Sequence, residues 1–490
     1  MLFQHVTLVY PDRAITRTQR ELYLHLPYSS LCLAAYLREN EYKTDILDMR
    51  VQDWRKYDFS QTDVLGIGCM TGNQIKMGLE LASLVRQQYP DIPIIWGGIH
   101  PTLYPQQTSE HPLVDYVVRG EGEVTLLALL DALNGKIHLE EVKGITYQKN
   151  GEIKENTDRE PIKDLDSLPF PAYDLVDVDS YPNVREIFDY QSSRGCPFRC
   201  SFCYNLAFSN RRWRAKSPDK TVNEIKKIKE LYDIRSIGFV DDELFINIKR
   251  TNEIVRGIVD AKLNIRWSAS CRLDILQRYP DETMEMIKAS GCSKLYFGAE
   301  SGSQEILNHI KKDITSSDVI NATKKCLKND ITPILSFMSG FPTETLDDLE
   351  MTRNIIDELW KIDQRVTVNG VFIYNPYPGG ELFEESIRNG IETPSTFDGW
   401  GDWDYKYDAS HPWIGKDKQK FMQMLFLLVR FSYYWKELGR QDDFKKKYLA
   451  RFLLLPLKLS FNLRWRFRFL THGYEWHLWS WLMRNAIGFL

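Results

Sequence analysis

No stretch of this chain reaches the roughly 18 consecutive apolar residues that a bilayer-spanning helix needs. It also lacks an excess of positive charge: 63 Lys and Arg face 67 Asp and Glu, for a net charge of −4. Nothing in that balance calls for nucleic acid as a partner. Cysteine is sparse, with eight in 490 residues, too few for a disulfide framework. The N-terminus, MLFQHVTLVYPD, reads as a strand and not as a secretory signal. Both features predict a reducing cytoplasm. The remainder is ordinary: 43% apolar and 27% charged residues describe a globular chain, long enough for two or three domains.

The few cysteines are unevenly placed. Cys196, Cys200 and Cys203 stand at C-x3-C-x2-C spacing in a loop that follows an extended segment at 188–192. Thiolates are natural ligands of iron–sulfur clusters, and close spacing lets one loop wrap one cluster. Three local cysteines leave one iron of a cubane open to an exchangeable ligand. A zinc site is the alternative, but zinc wants a fourth Cys or His nearby. The next cysteine is Cys271, and no His lies between His138 and His309.

With the aromatic Tyr204 that follows, this triad resembles the signature of the radical S-adenosylmethionine (SAM) superfamily. The resemblance implies a 4Fe–4S cluster on Cys196, Cys200 and Cys203. Its open iron would take the amino and carboxylate groups of SAM, and one electron would cleave SAM to a 5′-deoxyadenosyl radical.

Before the triad, short apolar runs alternate with helical periods. Strands are predicted at 5–10, 44–48, 63–70, 92–96 and 115–118, helices at 30–40, 74–89 and 124–133. A hairpin turns about Asn150-Gly151. This is the pattern of a parallel, Rossmann-like layer. Such sheets bind ligands at the carboxyl ends of their strands. Small residues gather there, and glycine lets backbone approach a flat ligand closely; each one alone also fits a tight turn. The phrases Gly97-Gly98-Ile99-His100-Pro101-Thr102 and Val118-Arg119-Gly120-Glu121-Gly122-Glu123 resemble the cobalamin-binding domain that precedes the radical SAM domain in a large class of enzymes. Cobalamin contacts implied by that resemblance are Gly68, Thr71, Gly97, Gly98, Gly120 and Glu121. No Asp-x-His-x-x-Gly motif is present, so either cobalt is bound without a histidine or the domain has lost the cofactor. His100 reads as a hydrogen-bonding loop residue.

From 188 to about 385 six more strands alternate with helices, which fits the partial (β/α)6 barrel of the resembled family. Chemistry in such barrels collects at the C-terminal mouth. Polar or small residues end these strands: Asp241 and Asp242, Arg272, Glu300 and Ser301, and Gly340. The ammonium, carboxylate and ribose diol of SAM call for acids and an Arg or hydroxyl. By resemblance Asp241 or Asp242 holds the amino group, Glu300 and Ser301 the ribose side, and Arg272 the carboxylate. Tyr204 and the turn at 373–376 frame the adenine. The bland reading of each acid is a helix cap or solvated turn. Cys271, Cys292 and Cys326 read as buried small residues.

Beyond the barrel the chain turns aromatic. Trp400, Trp403, Tyr405, Tyr407, His411 and Trp413 fall within fourteen residues, as a lid over the barrel mouth or as packing between domains. A helix is expected over 417–438. Then Lys445, Lys446, Lys447, Arg451, Lys458, Arg464, Arg466 and Arg468 interleave with Phe, Leu and Trp, up to an aromatic stretch at 477–482. Such a segment can rest on an anionic membrane, cover the barrel or bind an acidic substrate tail. Its stretch at 464–468 alternates with period two, which is also a strand pattern.

The expected class is α/β: a Rossmann-like cobalamin-binding domain over residues 1–157, a linker at 158–187, a partial (β/α)6 radical SAM barrel over 188–390, and a helical, aromatic-rich C-terminal cover over 391–490. The resemblance implies a cobalamin-dependent radical SAM methyltransferase. It would act on an unactivated carbon or a phosphinate phosphorus of a small or lipid-like substrate, through methylcobalamin, with electrons from a flavodoxin- or ferredoxin-type donor. The rivals are a cyclase or ring-rearranging enzyme on the same scaffold and a non-enzymatic iron–sulfur or zinc scaffold. The expected location is the cytoplasm, with peripheral contact at the inner face of the membrane as a further reading.

Overall fold

The computed structural model describes residues 2–13, 24–181, 184–403, 409–440 and 444–470; Tyr405, Tyr407 and the stretch at 477–482 lie outside them. Seven strands form the first sheet: β1 (His5–Tyr10), β2 (Lys43–Asp48), β3 (Val64–Gly68), β4 (Ile94–Gly97), β5 (Tyr116–Val118), β6 (Ile145–Lys149) and β7 (Glu152–Glu155), in the order β2-β1-β3-β4-β5-β6-β7. The first five are mutually parallel, and the hairpin β6–β7 joins the β5 edge antiparallel. Helices Tyr28–Glu39 and Asn73–Gln88 and the short pair Ile99–Leu103 and Pro105–Ser109 lie in crossovers, while Gly122–Leu133 leads from β5 to the antiparallel β6. The central strands are apolar on both faces, as a sheet covered on both sides requires. Val64, Leu65, Ile94 and Trp96 are fully buried.

A two-stranded ribbon, β9 (Ser193–Arg194) with β10 (Arg214–Ala215), brackets the cysteine loop. The second sheet consists of β8 (Phe188–Tyr190), β11 (Ser236–Phe239), β12 (Arg266–Ser270), β13 (Cys292–Glu300), β14 (Thr332–Ser339) and β15 (Thr367–Ile373), all parallel and in sequence order across the sheet. That is an open arc of six β/α units. Its helices start where local chemistry says they should. Ser217 caps the helix Pro218–Tyr232 with Pro at its first turn, and Thr315 with Asp318 and Thr345 with Asp348 form reciprocal capping boxes.

Two long helices follow, Lys416–Arg440 and Phe444–Phe467. The period-two stretch at 464–468 thus falls at the end of a helix and not in a strand, because Trp465 turns inward to Trp360 and Asp357 while Arg466 and Phe467 stay exposed. The aromatic segment before these helices divides. Phe397 and Trp400 enter the core of the first sheet, with Trp96 edge-on to Phe397 at 5.1 Å and the Trp400 carbonyl accepting from the Gly72 N–H. His411 and Trp413 instead cap the second sheet: His411 Nε2 lies 2.7 Å from the Tyr374 carbonyl, and Trp413 Nε1 donates to the Gly340 carbonyl at 2.9 Å.

Candidate functional site

The cysteine loop is fixed by backbone bonds on several sides. Gly195 N–H donates to Asp242 (2.9 Å), Ser201 N–H to the Ile310 carbonyl (2.9 Å) and Cys203 N–H to the Cys200 carbonyl (3.0 Å). Leu382 N–H donates in turn to the Ser201 carbonyl at 2.9 Å. Gly195 has φ +80, and a Cβ there would lie 2.1 Å from the Arg212 carbonyl oxygen, so no other residue fits without moving the ribbon. Cys196, Cys200 and Cys203 are free and half-buried. Burial pushes the Cys196 thiol up to about 12 and that of Cys203 to about 11; a metal would have to draw off those protons. Among the described residues no three His, Cys, Asp or Glu converge as ligands of a single ion do.

Two cations stand beside Cys200. Arg272 Nη1 donates to its sulfur at 3.5 Å, with the guanidinium 3.8 Å over the Phe198 ring and Nε on Asp274 at 2.9 Å. Another Arg272 nitrogen donates to the Lys312 carbonyl. Lys312 is buried and donates to Glu300 at 2.6 Å. Burial opposes its charge, yet Glu300 and the nearby Cys200 hold Lys312 above the usual lysine value. Glu300 itself takes φ +60 at a register shift between β13 and β14, a conformation that costs a non-glycine residue about 1–2 kcal/mol and is characteristic of functional sites.

The other strand-end residues are differently placed. Asp241 is buried and accepts from Ser192 N–H and both Ser192 and Ser193 hydroxyls; burial pushes its carboxyl above the usual range. Ser301 meets Thr352 at 3.2 Å and accepts from the N–H of Ser303, which is the residue that caps the helix Gln304–His309. Gly340 donates to Glu344 and lies under Trp413 and Met422. Asp242, by contrast, is exposed on the loop side. Tyr204 is half-buried, with Gly379 wedged between it and Leu103; a Cβ there would lie 3.2 Å from each. Cys271, Cys292 and Cys326 are buried. Lys312 carries no sequence signal, and Glu243 has only its place in the polar run that ends β11. Lys311, Lys312 and Asp313 look like a solvated turn, yet Lys312 points inward while Lys311 pairs with exposed Glu381. Glu243 is buried under the Arg272 and Phe245 N–H groups, and burial pushes it up to about 7.

The first sheet ends differently. Gly68 is exposed and Gly120 (φ +70) has nothing within 4 Å of where a Cβ would stand. Between them Gly97 borders Val118, and Gly98 lies so close to the Cys69 backbone that a Cβ would come within 2.7 Å. The result is a shelf of bare backbone that a flat macrocycle fits. Thr71 shares a 2.9 Å hydrogen bond with His100 Nδ1. His100 is fully buried among Tyr104, Phe397 and Trp400, its Nε2 has no hydrogen-bond partner, and burial pushes its protonation down to about 3. Glu121 points away from the shelf: it accepts from Ile162 N–H (2.7 Å) and Arg214 (2.8 Å), with Arg194 at 3.4 Å. Glu123 takes Arg194 Nη2 at 2.6 Å. Burial opposes both charges of that pair, but each holds the other ionised, with Glu123 below and Arg194 above its ordinary value. Since Arg194 precedes Gly195, the β5 edge is tied directly to the cysteine loop.

The chain matches two family models, the B12 binding domain over residues 22–130 and the radical SAM superfamily over residues 190–356. It is 33% identical to an uncharacterized methyltransferase of Pyrococcus horikoshii, over 74% of this chain and 79% of that one. An anaerobic magnesium-protoporphyrin IX monomethyl ester cyclase of Rubrivivax gelatinosus is 29% identical over 72% of this chain, which spans 65% of the cyclase. Among solved structures, the cobalamin-dependent SAM radical enzyme OxsB with aqua-cobalamin bound shares the fold at a TM-score of 0.74 and 20% identity, covering 99% of this chain and 76% of that one. The chain thus belongs to the radical SAM superfamily in its B12-binding branch, and it is an enzyme whose cofactors are a 4Fe–4S cluster, SAM and cobalamin.

Proposed function

We propose that the protein transfers a methyl group from SAM to an unactivated carbon or a phosphinate phosphorus of a small molecule. One arrangement carries the reading: the cysteine loop and the glycine shelf abut, joined by Gly379 between Tyr204 and Leu103 and by the Arg194 pairs. When bound, the cluster, SAM and cobalamin supply reductive cleavage of the sulfonium and a carrier for the methyl group. The chain's work is to fix separations and keep water out. In this reading Cys196, Cys200 and Cys203 hold the cluster, and Arg272 and Lys312 offset its negative charge. Asp242, exposed beside Gly195, receives the SAM ammonium, and Tyr204 borders the adenine. Gly68, Thr71, Gly97, Gly98 and Gly120 form the seat of the corrin ring. The buried Asp241, Glu300 and Ser301 hold the rim in shape, which makes them positioning residues. A flavodoxin- or ferredoxin-type protein donates the electron. The methyltransferase name of the Pyrococcus relative supports this reading.

A second reading, ring formation or rearrangement on the same scaffold, is favoured by the cyclase relative. Product counting separates the two after anaerobic reconstitution with iron, sulfide and hydroxocobalamin. A methyltransferase turning over its substrate releases S-adenosylhomocysteine together with 5′-deoxyadenosine. Deoxyadenosine alone, alongside a product without an added methyl group, removes the methylation reading.

A further inference from the structure

The helix Phe444–Phe467 is apolar on two opposite sides. Leu454, Leu457, Phe461 and Trp465 face the protein, where they join its core. On the outer side Leu455, Leu459, Leu463 and Phe467 recur every four residues and are 44, 56, 57 and 71% exposed. Surface helices ordinarily turn polar residues outward, and a helix apolar all round belongs in a core or against lipid. The helix itself carries charge of one sign. From 444 to 470 the sequence holds eight Lys and Arg and no Asp or Glu. Exposed Arg466 and Arg468 sit at the end of the stripe. With Lys361, Lys458 and Asp357, which pairs with Lys361, they line a cleft of about 480 Å³ against the helix Leu346–Ile362.

We propose that this helix docks the protein on an anionic lipid surface, with the Leu and Phe stripe in the headgroup boundary and the cations against the phosphates. Among the described residues no helix is long and apolar enough to cross a membrane, so the helix lies on the surface instead of spanning it. A second copy of this chain is a poor occupant of the same face, because it would set the exposed Arg466 and Arg468 against their own copies. Apolar insertion and attraction to anionic headgroups add in such helices, which is why both are needed for firm attachment.

The test is co-sedimentation of the intact, cofactor-loaded protein with vesicles. It is expected to pellet with equimolar phosphatidylcholine and phosphatidylglycerol, to stay in solution with phosphatidylcholine alone, and to be released by salt. The double substitution Leu459→Glu and Leu463→Glu is expected to weaken partitioning by more than about tenfold, with SAM cleavage unchanged. Arg466→Glu with Arg468→Glu should weaken it too and flatten its salt dependence. The proposal is overturned if the intact protein stays in solution with anionic vesicles. A dimer that Leu463→Glu turns into a monomer would then identify the occupant as a second copy. Undiminished binding by the Leu459→Glu and Leu463→Glu variant overturns it equally.

Discussion

The two sheets end in opposite ways. At the carboxyl edge of the first, backbone is bare: Gly68 and Gly120 face open space, and the nearest acids, Glu121 and Glu123, turn aside to Arg194 and Arg214. At the edge of the second, charge is packed in: Asp241, Glu243, Glu300, Glu344, Arg272 and Lys312 are all buried. A broad, weakly charged ligand is held by shape, and crowding side chains would only be in its way. A small zwitterion and an anionic cluster are held by charge, and in a low-dielectric setting those charges must be fixed by partners or they destabilise the fold. The same architecture therefore builds one edge by leaving atoms out and the other by locking ions in place.

That contrast can be broken from either side. The largest effect is expected from Cys200→Ala, which should abolish the iron–sulfur absorbance and all deoxyadenosine formation while retention of the corrinoid chromophore persists. Loss of both together would mean that the edges are not separable. Next comes Arg194→Met. Removing one partner of a buried ion pair costs about 3–5 kcal/mol, seen as a lower denaturant midpoint, and it should also lower the yield of methylated product relative to deoxyadenosine, because the two edges would lose their tie. Gly195→Ala should cost more than about 2 kcal/mol and reduce iron loading, since positive φ and the Arg212 carbonyl both exclude a Cβ.

Glu344, behind Gly340, tests the locked-ion side by titration. Burial raises its carboxyl from 4.5 to about 7, against the pull of Lys418. The folded protein therefore binds this proton more tightly than the unfolded chain does, and stability falls as pH rises from 4.5 to about 7. The slope is at most about 1.4 kcal/mol per pH unit. Urea midpoints measured across that window should flatten in Glu344→Gln. The smallest effect belongs to Gly120→Ala, about 1 kcal/mol of backbone strain with no steric clash. Weaker corrinoid retention, with iron loading intact, would mark the open shelf as its seat.

Much of this was legible in the sequence, and the reason is periodicity. Runs such as Val64–Gly68 or Thr332–Ser339 are short, apolar and bounded by turns, so the strands and their alternation with helices can be read from them. The thiol loop was legible because its three cysteines are local in sequence. Charge partners were not. Nothing around Lys312 says that it reaches Glu300, and nothing around Glu121 says that it turns from the shelf to Arg214, because such pairs join segments distant in sequence. The 464–468 alternation left a strand open as an alternative, but a period of two over five residues is too short to outweigh the helix in which it sits.

Trp400 has a consequence for the order in which the molecule can be made. The innermost packing of the first sheet, around Trp96 and His100, is finished by residues 397–400. During synthesis the opening 150 residues emerge long before that plug does. Until then they must wait with an oily socket showing, and a message cut short ahead of Phe397 would yield a truncated chain that chaperones hold and proteases find.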